Sequence, residues 1–313
     1  MTDEKIVLGT NTNYPLNGIL SIPVGNNGLF PAVVLVHGSG PSNKDEKIGN
    51  ITPFKDLAEG LSDKGIAVLR YDKRTFIYGK QMKKDHGLTV REETIEDAIL
   101  AADFLRKDTR IDHGKIFIIG HSMGGMLAPR INAEGGNFAG IIIMAGSPRR
   151  LEEIIVDQND ELLNSLNWLL RLIAKKQVAK LSSKFQNIDH LMAEEAKTTP
   201  ILGKNLRAYY FKEMGEHQAI HYLLSEPHKP VLIMQGAKDF QVSVEKDFNL
   251  YKALLREIPN ITYKLYPNLN HAFMSSVYGK IMKAKKEYKI AQKIDQQVIN
   301  DIAEWVFLNS ATD

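Results

Sequence analysis

Short runs of consecutive apolar residues alternate along the chain with longer segments in which apolar residues recur every three or four positions. The short runs are rich in β-branched side chains and predict strands that are buried on both faces. They cover 31–36, 66–69, 116–119, 139–145, 230–236 and 261–266, after a predicted antiparallel pair at 6–9 and 16–22. The spaced segments predict amphipathic helices, including 53–64, a helix opened by the capping box at 89–92, and 290–308. Alternating strands and helices predict an α/β fold, with a mostly parallel central sheet flanked by helices.

The alternation stops between residues 149 and 226. Leucine and isoleucine recur there at helical spacing from 151 to 173, and the aromatic cluster at 209–211 with Met214 predicts another helix. We interpret 149–226 as a helical cap inserted into a core formed by 1–148 and 227–313. A leucine-rich face of this kind can bind a membrane or line a lipid pocket, but more often it packs on the domain that it covers.

Residues that can carry chemistry follow the ends of five predicted strands. They are His37, Asp72, Ser122, Asp239 and His271. Because the carboxyl ends of parallel strands meet at one edge of a sheet, we expect these side chains to lie close together.

Ser122 lies in the pattern Gly120-His121-Ser122-Met123-Gly124, between a predicted strand and a predicted helix. This is the context of a nucleophile elbow, in which the flanking glycines leave room for a sharp turn. The amide of Met123 would lie at a helix start, where unpaired N–H groups attract negative charge. An incidental serine in a structural turn would give the same pattern, so the motif needs support from elsewhere in the chain.

A serine nucleophile requires a base, and the base requires a partner that fixes its tautomer. His271 follows the last predicted strand and Asp239 follows the strand before it. The order Ser122, Asp239, His271 is the order of a hydrolase triad on an α/β sheet. His37 and His121 precede their turns and are expected to shape those loops.

Five segments together resemble a known group of enzymes: 37–41, 70–74, 120–125, 235–239 and the loop of His271. They are similar to serine hydrolases of the α/β-hydrolase superfamily, and in particular to bacterial carboxylesterases related to dienelactone-hydrolase-like and acyl-aminopeptidase-like enzymes. The similarity covers about 16 to 308 outside the insertion. The chain departs from the pattern at Thr75, where many members have glycine, and at Pro129, which should distort the helix after the elbow.

The resemblance implies an α/β-hydrolase fold and assigns roles to the matching positions. Ser122 would be the nucleophile, His271 the base and Asp239 its orienting acid, with an oxyanion hole formed by the backbone N–H groups of Ser39 and Met123. The weaker substrate-contact candidates are His37, Asp72, Arg74 and His121. Asp72 and Arg74 could instead form a structural ion pair, and the roles of Asp45 and Glu46 stay open.

The expected function is hydrolysis of small to medium carboxylic esters through an acyl-enzyme. Amide, peptide and thioester cleavage use the same machinery and stay open. A peptidase would need acids to hold a substrate amine, for which Glu194-Glu195 and Glu213 with Glu216 are candidates. A non-catalytic small-molecule-binding protein is the remaining alternative.

Composition and charge argue against several other classes of protein. The formal net charge of +3 is dispersed, which gives no support to nucleic-acid binding, and cysteine is absent, which excludes disulfides and thiolate metal sites. No apolar run approaches the ~18–20 residues that span a bilayer, and the polar first residues lack the apolar core of a signal peptide. His217 and His221 have a zinc-compatible spacing, but Gln218 stands where a metalloprotease needs glutamate. We therefore expect a cytoplasmic enzyme without metal or cofactor that acts on a small-molecule ester. A homodimer is one assembly to consider, and the oligomeric state stays open.

Overall fold

A computed structural model describes residues 1–25, 28–203 and 206–310. Its strands are β1 (Thr2–Leu8), β2 (Leu16–Ile22), β3 (Phe30–Val36), β4 (Ala67–Tyr71), β5 (Ile111–His121), β6 (Ile141–Met144), β7 (Pro200–Leu202), β8 (Leu206–Arg207), β9 (Val231–Gly236) and β10 (Ile261–Tyr266). The central sheet has the order β1-β2-β4-β3-β5-β6-β9-β10. The pairs that run from β4 to β10 are parallel, whereas β2 pairs antiparallel with both β1 and β4. The α/β class with a mostly parallel sheet is confirmed.

Helices cover both faces of this sheet. The α-helices of the described residues are α1 (Pro53–Asp63), α2 (Arg74–Met82), α3 (Glu96–Leu105), α4 (Met123–Ile131), α5 (Leu151–Asn164), α6 (Trp168–Gln186), α7 (Ala193–Thr198), α8 (Ala208–Glu216), α9 (Ala219–Ser225), α10 (Asn249–Leu254), α11 (Ala284–Glu287) and α12 (Gln296–Leu308). Because strand side chains alternate, Val34 belongs to the apolar core shared with α3 and α4, whereas Val33 belongs to the core shared with α1 and α12. Burial on both faces explains why β3 has no polar positions.

Two local predictions have definite outcomes. At the predicted capping box, the Thr89 amide donates to the Glu92 carboxylate at 2.9 Å, and a π-helical turn (Arg91–Ile95) leads into α3. Pro129 lies inside α4, which passes into a second π-helical turn at Asn132–Gly136. A helix that keeps its proline within an irregular end agrees with the predicted distortion.

The segment around Thr75, where the chain departs from the family pattern, forms helix α2. Its β-branched and aromatic residues are poor helix formers, so tertiary contacts hold it. The Tyr78 hydroxyl donates to the carbonyl oxygen of Pro15 at 2.8 Å, and its ring packs edge-on against Tyr14.

The segment 149–226 contains α5 to α9 and also the antiparallel pair β7 and β8, which no pattern predicted. Strands of three and two residues are too short to show a period. The leucine-rich run divides into two parts. Ile154 and Leu163 of α5 are buried, whereas Trp168 and Leu172 of α6 are 70% and 60% exposed, so packing on the core accounts only for the first part.

No helix among the described residues is both long enough and apolar enough to cross a membrane.

Candidate active site

Ser122 lies in a sharp turn between β5 and α4, and its backbone angles are φ 54° and ψ −119°. L-residues rarely adopt this region, so the turn is strained. A Cβ on Gly120 would lie 2.2 Å from the carbonyl oxygen of Gly124, and a Cβ on Gly124 would lie 2.2 Å from that of Val36. Only glycine fits at both positions, which explains the motif. The predicted strand, sharp turn and helix around Ser122 are confirmed.

Asp239 and His271 form a buried hydrogen-bonded pair. His271 Nδ1 donates to Asp239 Oδ2 at 2.7 Å, and the two side chains are 4% and 0% exposed. The same Oδ2 accepts from Gln235 Nε2 at 2.7 Å, and Oδ1 accepts from the amides of Gln241 at 2.7 Å and Val242 at 3.1 Å. Four donors hold the carboxylate in one orientation, and that orientation assigns the proton of the imidazole to Nδ1.

The His271 loop lies against the elbow. The rings of His121 and His271 are 4.8 Å apart, and His121 Nε2 donates to the carbonyl oxygen of His271 at 3.0 Å. His271 therefore lies beside the residue that precedes Ser122, at the carboxyl edge of β5, β9 and β10. The edge predicted from the strand ends holds all three of the triad candidates.

The loop after β3 lies on the other side of the serine. A Cβ on Gly38 would be 3.1 Å from the Cβ of Ser122, so this backbone touches the elbow. Within the described residues, the amides of Ser39 and Met123 donate to no protein group. Two unpaired N–H groups on the backbone next to a serine can bind an oxyanion when both point to the same oxygen.

Glu46 and His121 form a buried ion pair under this site. His121 Nδ1 is 3.0 Å from Glu46 Oε2, and the other carboxylate oxygen accepts from the Gly38 amide at 3.0 Å. Burial lowers the pKa of His121 and raises that of Glu46, but their contact outweighs burial, so the pKa of His121 is raised and that of Glu46 lowered. His121 Nε2 donates to a carbonyl oxygen and Nδ1 lies beside a carboxylate oxygen, and these surroundings favour the imidazolium form.

A second buried pair, Lys73 and Glu93, lies under the same loop and was not predicted. Lys73 Nζ donates to the carbonyl oxygen of Gly38 at 2.9 Å and lies 2.7 Å from Glu93. The Glu93 carboxylate also accepts from the Tyr210 hydroxyl, on α8, at 2.7 Å. The only sequence signal was the position of Lys73 in the segment 70–74, directly after a strand.

His37 is a structural residue of its loop. Its Nε2 donates to the carbonyl oxygen of Asn43 at 3.0 Å, and its ring packs against Phe54. Burial lowers its pKa to about 4, so the ring is neutral near pH 7.

Asp72 and Arg74 have separate partners and do not pair with each other. Asp72 accepts from the Lys44 amide at 2.8 Å, whereas Arg74 Nε donates to Asp97 at 3.1 Å and Nη1 to Glu96 at 2.9 Å. These contacts occupy both side chains with protein groups, and a role in substrate contact stays a prediction for them, as it does for His37 and His121.

The histidine pair in 149–226 does not share one helix. His217 follows the end of α8, and His221 lies in α9. His217 Nδ1 and the Tyr222 hydroxyl are hydrogen-bonded at 2.7 Å. Across residues 1–25, 28–203 and 206–310, no three histidine, aspartate or glutamate side chains are grouped to hold a metal ion.

This chain is similar in sequence and in fold to known proteins. Esterase EstD of Thermotoga maritima is 36% identical over 295 residues, which are 93% of this chain, and the chain spans about 65% of the length of that relative. Among solved structures, Est1E from Butyrivibrio proteoclasticus has a TM-score of 0.58 at 15% identity, with 98% of this chain and 99% of that chain covered. A Pyrococcus furiosus esterase has a TM-score of 0.55 at 18% identity, with 97% and 91% covered. At these identities the two structures establish the α/β-hydrolase fold.

A protein family matches most of this chain, including all segments of the candidate site. Residues 31–276 match the family described as serine aminopeptidase, S33, and these residues include the elbow, both loops and the inserted segment. The chain therefore belongs to the serine aminopeptidase (S33) family of α/β-hydrolases.

Proposed function

We propose that this chain hydrolyses carboxylic esters through an acyl-enzyme formed on Ser122. The observation that carries the proposal is the 2.7 Å hydrogen bond between His271 and Asp239, beside a serine held in a strained turn. A hydrogen-bonded histidine and carboxylate next to a serine at an elbow are the parts of an acyl-transfer site.

The steps follow from the position of each group. His271 Nε2 takes the proton of the Ser122 hydroxyl as its oxygen attacks the ester carbonyl, and Asp239 stabilises the imidazolium that forms. The carbonyl oxygen becomes an oxyanion between the amides of Ser39 and Met123. His271 then gives the proton to the departing alcohol. Water repeats the sequence on the acyl-enzyme and releases the acid.

The names of the relatives favour an ester over an amide, and most of the acidic side chains suggested for an amine site are already paired. EstD and the Pyrococcus furiosus relative are named esterases, whereas the family description names an aminopeptidase. An aminopeptidase needs a free carboxylate for the substrate amine. Of the acids suggested for this role, Glu213 pairs with Arg130, Glu216 lies 3.6 Å from Lys212 and Glu194 lies 2.7 Å from Lys197. Glu195 is exposed and forms no ion pair within the described residues, so it is the one candidate left for that role.

We further propose that 149–226 acts as a cap over the substrate site. The Tyr210 hydroxyl lies 3.5 Å from Met123 Sδ, so helix α8 reaches the elbow. A wall of this kind can set the size of acyl group that the site accepts. The cytoplasmic location stays a prediction from the sequence, and the oligomeric state stays open.

Covalent labelling tests the nucleophile. A fluorophosphonate probe should label the wild-type chain and Ser39→Ala, which keeps the backbone amide, but not Ser122→Ala. Equal labelling of Ser122→Ala would refute the proposal.

A substrate panel tests the reaction. Rates on p-nitrophenyl esters of graded acyl length should exceed those on aminoacyl-anilides. Anilide cleavage that is faster than ester cleavage would assign the site to amides instead, and labelling without turnover of any substrate would favour a binding protein.

A further inference from the structure

We propose that Lys73 is a positioning residue of the oxyanion hole, and that it acts by fixing the peptide unit whose N–H belongs to Ser39. The inference rests on the proposed function, because it concerns the donor that would bind the oxyanion. It assigns a role to a buried lysine that the steps of ester hydrolysis do not otherwise use.

The argument begins with the geometry of one peptide. The carbonyl of Gly38 and the N–H of Ser39 belong to the same planar unit, and in a trans peptide they point in opposite directions. Lys73 Nζ donates to that carbonyl oxygen at 2.9 Å. The contact between Gly38 and Ser122 places this peptide beside the serine. Holding the oxygen on the Lys73 side therefore fixes the N–H on the opposite side.

Lys73 is itself held in place. Its side chain is 2% exposed, its Nζ lies 2.7 Å from Glu93, and its backbone amide donates to the carbonyl oxygen of Ser42 at 3.0 Å. Burying an ion pair adds little net stability compared with apolar residues of the same size. Stability is thus a weak reason for a lysine here, whereas a fixed donor at this carbonyl oxygen orients the N–H of the same peptide.

The charge also acts on the donor. A cation at the carbonyl oxygen polarises the peptide and makes its N–H a stronger donor, and in a buried site this effect is weakly screened. The benefit is largest when negative charge develops on the substrate oxygen, so it falls on the transition state. Removing Lys73 should therefore reduce kcat more than it changes KM.

The inserted segment supports the same pair. Tyr210 donates to Glu93 at 2.7 Å, and burial together with Glu93 raises the pKa of the phenol well above its usual value, so it remains a donor. The chain Tyr210, Glu93, Lys73 connects helix α8 to the Gly38 carbonyl. Packing of 149–226 thereby contributes to the orientation of the Ser39 amide.

The test compares two similar networks in one protein. Lys73→Met removes the cation, and Lys73→Met with Glu93→Gln also removes the buried carboxylate that would otherwise lose its partner. The control is Lys264→Met with Asp301→Asn. Lys264, on β10, lies 3.1 Å from Asp301, which also accepts from the Tyr266 hydroxyl at 2.6 Å, and within the described residues neither side chain bonds to the Gly38 loop. The control therefore removes a lysine and acid pair that a tyrosine also contacts, with a lysine that is 41% exposed where Lys73 is 2% exposed.

Three measurements are made on each variant: kcat and KM on a p-nitrophenyl ester, the fluorophosphonate labelling rate, and the affinity of a trifluoromethyl ketone that adds to the serine. Loss of a whole oxyanion donor costs on the order of 10²–10³ in rate. Misorienting one should lower kcat about 10- to 100-fold with KM within about two-fold. Labelling and ketone affinity should fall by a similar factor, and the control should keep all three values.

Two results would overturn the inference. One is a folded double variant at Lys73 and Glu93 with kcat, labelling and ketone affinity all within three-fold of wild type. The other is a rise in KM at unchanged kcat. Either result would leave Ser122-dependent labelling of the wild type intact. Labelling that does not depend on Ser122 would instead remove the proposed function itself.

Discussion

Replacing Gly124 by alanine should prevent the elbow from forming as the structure has it. A Cβ at this position would lie 2.2 Å from the carbonyl oxygen of Val36 and 2.7 Å from that of His37. Both atoms are backbone, at the end of the central strand β3, which is buried on both faces. No side chain can turn away to relieve the contact, so α4 would have to move away from β3 by about 1 Å to reach an ordinary separation.

The magnitude follows from the atoms involved. Overpacking that flexible side chains can absorb typically costs 1–3 kcal/mol. Because rigid backbone is involved here, we expect a loss of at least about 3 kcal/mol in the free energy of unfolding. At roughly 2 °C per kcal/mol for a large domain, the midpoint temperature should fall by about 6 °C or more. The same movement displaces Ser122, so kcat should fall at least about ten-fold.

Calorimetry and ester kinetics on purified Gly124→Ala measure both effects. Gly79→Ala is the matched control, because a Cβ at this position in α2 meets no atom within 4 Å. Alanine there should stabilise the chain by up to about 1 kcal/mol through helix propensity. A Gly124→Ala variant with wild-type kcat and a midpoint within 1 °C of wild type would show that the close approach of α4 to β3 is not required.

Two further predictions concern the site. Asp239→Asn should lower kcat on the order of 10³- to 10⁴-fold, because an amide cannot hold the His271 tautomer, and retention of more than a tenth of the activity would contradict the pairing. Glu46→Gln should lower the midpoint temperature most between pH about 4.5 and 6.5. Because the pKa of Glu46 in the fold lies below its usual 4.5, its carboxylate stabilises the fold above pH 4.5, and this stabilisation is lost as the pH falls through the folded-state pKa. Because the pKa of His121 in the fold lies above its usual 6.5, its imidazolium stabilises the fold below pH 6.5, and this stabilisation is lost as the pH rises through the folded-state pKa. A difference between wild type and variant that is constant from pH 4 to 9 would exclude this ion pair as the cause.

Local pattern alone was enough to predict the parts of the site that depend on strand ends. Apolar runs located the central strands, and a polar residue directly after such a run must lie at the carboxyl edge of a parallel sheet. That is why Ser122, Asp239 and His271 could be named as candidates before any coordinate, whereas the distances between their side chains depend on the fold. The motif glycines are likewise dictated locally, by the space inside the turn.

The groups that support the site could not be predicted in this way, because each pairs with a residue far away in sequence. Lys73 meets Glu93 and Tyr210 only once β4, the turn before α3 and helix α8 are packed together. No periodicity encodes such a contact, since it depends on strand register and helix orientation over the whole domain. The exposure of the apolar residues in the first turns of α6 could not be predicted for the same reason. The sequence by itself determined which residues lie at the carboxyl edge of the sheet, and only the tertiary structure decided which buried charges lie against that edge.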